Sequence, residues 1–155
     1  MSWPNSNPKS SIKSNRELPS TEVSDGFFRI SPDKARAEDL FTLAKERLEL
    51  VKIFPNSRPH LIIEAYYEII KELLTAIMYI DGYKTLSHVQ LIDYFSDNYE
   101  GEWRGLINEL RKHRINIVYN GKRISGEFLV NHEDRINEMI IQLLKLVEGK
   151  LVEKI

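Results

Sequence analysis

Apolar residues recur three and four positions apart through most of this chain, the spacing that lines one face of an α-helix. The first such stretch opens at Ser31-Pro32-Asp33. Ser31 can cap, Pro32 suits the first helical position, and Asp33 complements the helix dipole. Ala37, Leu40, Phe41, Ala44, Leu48 and Val51 carry its apolar face until Pro55-Asn56-Ser57-Arg58-Pro59 breaks the chain. The second stretch, about His60 to Ile80, is apolar nearly all round, with Glu64, Glu68, Lys71 and Glu72 on one narrow face. Such a helix needs neighbours on several sides, so the pattern predicts a central position. Gly82 is its natural stop. Ser87 and Gln90 have capping-box spacing, with Leu86 and Leu91 as a hydrophobic staple. They predict a short third helix with Val89, Leu91, Ile92 and Phe95 facing inward, ending at Asp97-Asn98. The fourth helix runs from about Glu102 to Val118 and stops at Asn120-Gly121. The last begins near Asn131, with Ile136, Met139, Ile140, Leu143, Val147 and Leu151 as its stripe.

No stretch shows strand alternation, and no repeat of period 20 to 50 is present. The expected fold is all-α: an up-and-down helical bundle of about five helices, four of them long enough to pack antiparallel through short connections. Residues 1–26, rich in Ser, Asn, Pro and Lys, read as a disordered tail. Residues 27–155 read as a single domain, in which Phe27, Phe28 and Ile30 are the first side chains able to dock.

Charge and composition narrow the chemistry. The formal charge of −1 provides no global attraction to nucleic acid or acidic membranes, so any such affinity is a local patch. The absence of cysteine excludes disulfides, thiolate nucleophiles and Cys-based zinc sites, and fits a cytoplasmic protein. The N-terminus has no apolar signal core. The longest apolar stretch, Leu61 to Ile80, is interrupted by four charged residues and reads as a core helix, not a membrane span. There is no Gly-rich phosphate loop, nucleophile elbow or zinc helix. His60, His88, His113 and His132 lack metal-ligand spacing, so no metal or cofactor is expected. His88 and His132 sit at or near helix starts, where polar residues commonly serve caps and turns.

The anomaly lies on the fourth helix. At about 100° per residue, Trp103, Leu106, Ile107, Leu110, Ile117 and Val118 form one stripe, with Arg114 near its middle. A guanidinium cannot shed its proton to escape burial, so it needs anionic partners or a cleft. Two readings follow. Arg114 is a structural ion pair, with Glu64 or Glu68 as partner, or it is a phosphate-binding group in an open cleft, its planar fork matching phosphate oxygens. Arg111, Asn116, Tyr119 and Lys122 share this segment and are candidate contacts for RNA or a nucleotide. Lys112, Lys122 and Arg123 also read as a solvated face balanced by acids of the first and last helices.

Three stretches together resemble the HEPN family, the higher eukaryotes and prokaryotes nucleotide-binding domains. Ile63-Glu64-Ala65-Tyr66-Tyr67-Glu68-Ile69-Ile70-Lys71-Glu72-Leu73-Leu74 looks like that family's central helix. Gly82 followed by Ser87-His88-Val89-Gln90-Leu91-Ile92 is similar to its turn and short helix. Leu110 to Gly121 matches the region of its Arg-x(4–6)-His motif, and the likeness covers roughly residues 32 to 150. The resemblance implies a bundle that usually dimerises. It also implies, for many members, metal-independent ribonuclease activity, often as a toxin paired with a nucleotidyltransferase-like partner.

The motif Arg maps onto Arg114 and the motif His onto Tyr119, which is a departure. Histidine takes and gives protons near neutrality, whereas a phenol with a pKa of about 10 is a poor base at pH 7. The expectation is therefore a module with a degenerate catalytic motif that binds RNA, a nucleotide or a partner protein through Arg111, Arg114, Asn116 and Tyr119. The alternatives are an endoribonuclease with Arg114 and either Tyr119 or His113 as catalytic pair, or a purely structural helical subunit.

Overall fold

The computed structural model describes residues 20–121 and 126–153. The fold is mostly helical, with a small sheet at one end. The elements in order are β1 (Thr21–Ser24), β2 (Phe27–Arg29), α1 (Lys34–Val51), α2 (Pro59–Asp81), β3 (Tyr83–Thr85), α3 (His88–Asn98), α4 (Arg104–Asn120) and α5 (Glu127–Val152), with a 3-10 turn at Gly101–Trp103 before α4.

Helix α2 is the axis of the molecule, as its pattern predicts. Thirteen of its 23 residues are buried, on all sides but the narrow strip of Glu64, Glu68, Lys71 and Thr75. Pro59 sits in its first turn and Gly82 closes it in the left-handed conformation, φ 91°. The other long helices surround it, and their directions follow from individual contacts. Asp33 N donates to Tyr79 O at 3.0 Å, so α1 starts where α2 ends. Tyr66 bonds Glu133 at one end of α5 and Asp81 pairs with Lys150 at the other, so α5 runs parallel to α2. Tyr99, just before α4, bonds Asp81, while Arg114 near the end of α4 meets Glu68, so α4 runs antiparallel to α2. The core between them includes Ile63, Ile70, Leu73, Ile77, Ile107, Leu110, Ile136, Met139 and Ile140.

The expectation of no strands is overturned. β1, β2 and β3 form one antiparallel sheet in that order, with Phe28 opposite Lys84. β1 lies inside the stretch expected as a disordered tail, so ordered chain begins before Phe27. The β1–β2 turn is Asp25-Gly26, with Gly26 at φ 77°. Asp-Gly between two short strands is a strong hairpin signal, and it outweighs the polar composition of the residues before it. β3 is three residues long, too short for alternation to register.

Two helix starts also differ from expectation. Asp33, not Ser31, caps α1, accepting from Arg36 N at 3.0 Å. Ser87 caps α3 as expected, accepting from Gln90 N. Gln90 does not complete the reciprocal box: Ser87 N donates to Thr85 Oγ1, and the Gln90 side chain reaches Thr85 and Asp25 O instead. α5 starts at Glu127, four residues before the expected Asn131. Val118, expected on the apolar stripe of α4, is 42% exposed, because the last turns of α4 extend past the core. No helix among the described residues is long and apolar enough to cross a membrane.

Candidate functional site

The end of α4, the middle of α2, strand β3 and the start of α3 enclose a cavity of about 380 Å³. Lys71, Lys84, His88, Arg114 and Tyr119 line it, over an apolar floor that includes Met78 and Leu91. Helix packing accounts for the placement. Ile107 and Leu110 seat α4 on α2, and one turn beyond Leu110 the same face presents Arg114.

The Arg114 side chain is 20% exposed, and its guanidinium lies 5.7 Å from the Tyr67 ring centroid. Its Nη2 is 3.4 Å from Glu68 Oε2, one of the two partners expected from the sequence. That oxygen makes no hydrogen bond, so the contact is charge attraction without an aligned N–H···O. Arg114 Nε is buried and also has no acceptor among the described residues. Glu68 is shared, since its Oε1 lies 3.2 Å from Lys71 Nζ. Arg114 is thus ion-paired with Glu68 and also lines a cavity.

On its other side Arg114 lines a second hollow of about 310 Å³ with Arg47, Glu64 and Glu68. Beside it, Arg47 Nε meets Glu72 Oε2 at 2.7 Å. Glu72 is 5% exposed, and its Oε1 has no partner. Burial therefore raises its pKa above the usual carboxylate value, outweighing the pull of Arg47.

The other sequence candidates divide. Tyr119 stands at the cavity edge, 66% exposed. Arg111 does not line the cavity, but its charge acts on Tyr67 and His88. Asn116 accepts from Asn120 within α4 and lies outside the cavity lining. Lys122 falls outside the described residues. His113 packs against Phe128 of α5, ring centroids 4.4 Å apart, so it faces away from Arg114's cavity.

Three contributors are not evident from the sequence pattern. Lys71 reads there as part of a charged strip, and Lys84 stands in a stretch with no detectable strand. His88 reads as a polar helix start. It is that, but its Nδ1 also lies 2.8 Å from the Tyr67 hydroxyl. One signal does point to Lys71: charges within the most buried helix of a bundle face other helices, not water. Among the described residues, no three His, Asp or Glu side chains converge to hold a metal ion.

Comparison with family models, with curated proteins and with solved structures gave no match. The chemistry of this cavity is therefore read from its own residues.

Proposed function

We propose that this chain is a HEPN-like module that binds a phosphate-bearing ligand, RNA or a nucleotide, in the cavity beside Arg114. The observation that carries the reading is the cavity that gathers Arg114, Lys71 and Lys84, beside which the buried Arg114 Nε lacks an acceptor. A planar guanidinium with an unused donor suits a phosphate oxygen. The exposed Tyr119 ring at the cavity edge supports the reading, since an exposed aromatic ring suits stacking on a base. The site favours binding over cleavage, because the position of the motif histidine holds Tyr119 and His113 lies elsewhere.

The test is a titration of isotope-labelled protein with AMP and with a short RNA, beside Arg114→Ala. Amide shifts in residues 111–121 that vanish in the variant support the reading. Unmoved amides would remove it. RNA cleavage in excess chelator, lost in Arg114→Ala, would instead establish the ribonuclease alternative.

One observation favours an accompanying protein contact. Val118 and Tyr119 are exposed together at the end of α4. An apolar helix end of this kind suits a second copy of the chain, in keeping with the dimers that the resemblance implies, or a nucleotidyltransferase-like partner. Sedimentation of Val118→Asp against the parent protein tests the homodimer: a shift from dimer to monomer supports it, and a parent monomer counts against it.

A further inference from the structure

His88 is the group in this cavity that phosphate binding by Arg114 leaves unused. It is the first residue of α3, directly after the Ser87 cap. Its ring stacks on Tyr67, with centroids 5.7 Å apart and 29° between the planes. Burial pushes the Tyr67 phenol up to about 12, so it keeps its proton at neutral pH. Among the described residues that hydroxyl has no hydrogen-bond partner except His88 Nδ1, at 2.8 Å, and we assign its proton to that contact. A neutral imidazole that accepts at Nδ1 carries its own proton on Nε2. Nε2 has no partner among the described residues. The cavity wall therefore holds an oriented, unused N–H donor.

The titratable groups that act on His88 or line the cavity with it come from three elements. Tyr67, Glu68 and Lys71 belong to α2, Lys84 to β3, and Arg111, Arg114 and Tyr119 to α4. Lys71, Lys84 and Arg114 line the cavity, and Glu68, which pairs with Lys71 and Arg114 from outside its lining, offsets one of their charges, leaving an excess of two.

We propose that His88 is a direct contact of a terminal phosphate, the monoester group of a nucleotide or of a phosphorylated RNA end. Its Nε2–H donates to one phosphate oxygen, while Lys71, Lys84 and Arg114 balance the charge. This rests on the phosphate reading above and specifies which phosphate. A monoester carries about −1.5 to −2 at pH 7 and matches the excess charge. An internal diester carries one charge and must continue as chain in both directions. A cavity of about 380 Å³ is near the small end of ligand pockets, a size for one nucleotide and not for a strand passing through.

The same arrangement couples binding to a proton. Burial, and after it Lys71, Arg114 and Arg111, hold the imidazole below the ordinary histidine value, so free His88 is neutral at pH 7. A dianion beside Nε2 reverses the balance and favours the imidazolium. Nδ1–H then donates, and the Tyr67 hydroxyl turns to accept. Ligand binding takes up a proton.

The experiment is calorimetry of AMP binding near pH 7.5 in buffers of different ionisation enthalpy. There the ligand is dianionic, since its second pKa is about 6. The parent protein is expected to take up a fraction of a proton on binding. His88→Gln, which retains a donor but does not titrate, is expected to take up none and to bind about three- to tenfold more weakly, because a neutral donor replaces a charged one at a cost of about 1 kcal/mol. A short RNA with a 5′-phosphate is expected to bind about tenfold or more tightly than its 5′-hydroxyl counterpart, as removal of a charged contact implies. Nitrogen-15 shifts of the His88 ring in the parent protein report the same protonation directly, and decide the matter should His88→Gln not fold. Arg114-dependent AMP binding without proton uptake, or equal binding of the two RNAs, would overturn the role of His88 and leave the phosphate reading standing. No binding by AMP or either RNA would remove the phosphate reading itself, and this inference with it.

Discussion

Glu68 lies between two cations, 3.2 Å from Lys71 and 3.4 Å from Arg114, and so balances with one carboxylate the charge of two side chains that line the cavity. The carboxylate keeps both cations in the interface between α2 and α4 when no ligand is present. Under the proposed phosphate reading it also competes with the ligand for them. Glu68→Gln keeps the shape and removes the competing charge. AMP affinity is expected to rise about three- to tenfold, equivalent to roughly 1 kcal/mol, as measured by calorimetry. A fall in affinity would show that Glu68 orients Arg114 for its ligand more than it competes.

Arg114 itself has a structural share that Ala and Lys separate. Arg114→Ala leaves a partly buried carboxylate beside Lys71 alone and takes a guanidinium from the Tyr67 ring. A cost of about 1–3 kcal/mol is expected, with a fall in Tm of roughly 2–4 °C per kcal/mol for a domain of this size. Arg114→Lys keeps the charge but loses the planar fork. It is expected to recover most of the thermal stability and little of the phosphate affinity. Equal recovery of both would reduce Arg114 to a point charge.

Much of this is legible in the amino-acid sequence, for a physical reason in each case. α2 announces itself because its few charges, Glu64, Glu68, Lys71 and Glu72, fall on one narrow face of a long stretch that is otherwise apolar. Gly82 and Gly121 mark helix ends because a left-handed cap strongly favours glycine, and both adopt it, at φ 91° and 62°. Arg114 stands out because a cation on an apolar stripe demands a partner, and Glu68 supplies one. What the pattern does not carry is tertiary or very short. β3 spans three residues and has no periodicity to detect, yet it brings Lys84 to the cavity. The Tyr67–His88 contact joins residues 21 apart through the turn at the end of α2. The start of α5 is hidden because neither Gly126 nor Glu127 is a strong cap, while Asn131 in the next turn looks like one.

Two of the perturbed groups near Arg114, the acid Glu72 and the base His88, give stability opposite slopes with pH. The raised Glu72 binds its proton more tightly folded than unfolded. Its contribution is fully present below the unfolded value of 4.5 and is lost as pH rises through the higher folded value. His88 is the reverse. Its folded pKa lies below 6.5, so its contribution is present above 6.5 and is lost as pH falls through the folded value. Urea unfolding of Glu72→Gln is expected to lose the decline above pH 4.5. His88→Gln is expected to lose the decline below pH 6.5. Parallel pH profiles for both variants and the parent would show that other groups set the dependence.

Gly82 offers a test of how closely the hairpin is tied to the bundle. Its carbonyl accepts from Ile30 N at 2.8 Å, and a Cβ built on Gly82 would stand 3.0 Å from Ile30 O, a backbone atom that cannot swing aside. The left-handed φ of 91° adds its own penalty for any L side chain. Gly82→Ala is therefore expected to cost about 1–3 kcal/mol, lowering Tm by several degrees. The strain acts where α2 passes into β3, so it is expected to displace Lys84 and His88 and to weaken AMP binding as well. A variant that loses stability but keeps full affinity would show that the cavity is shaped by α2 and α4 alone, with the sheet as a passive cover.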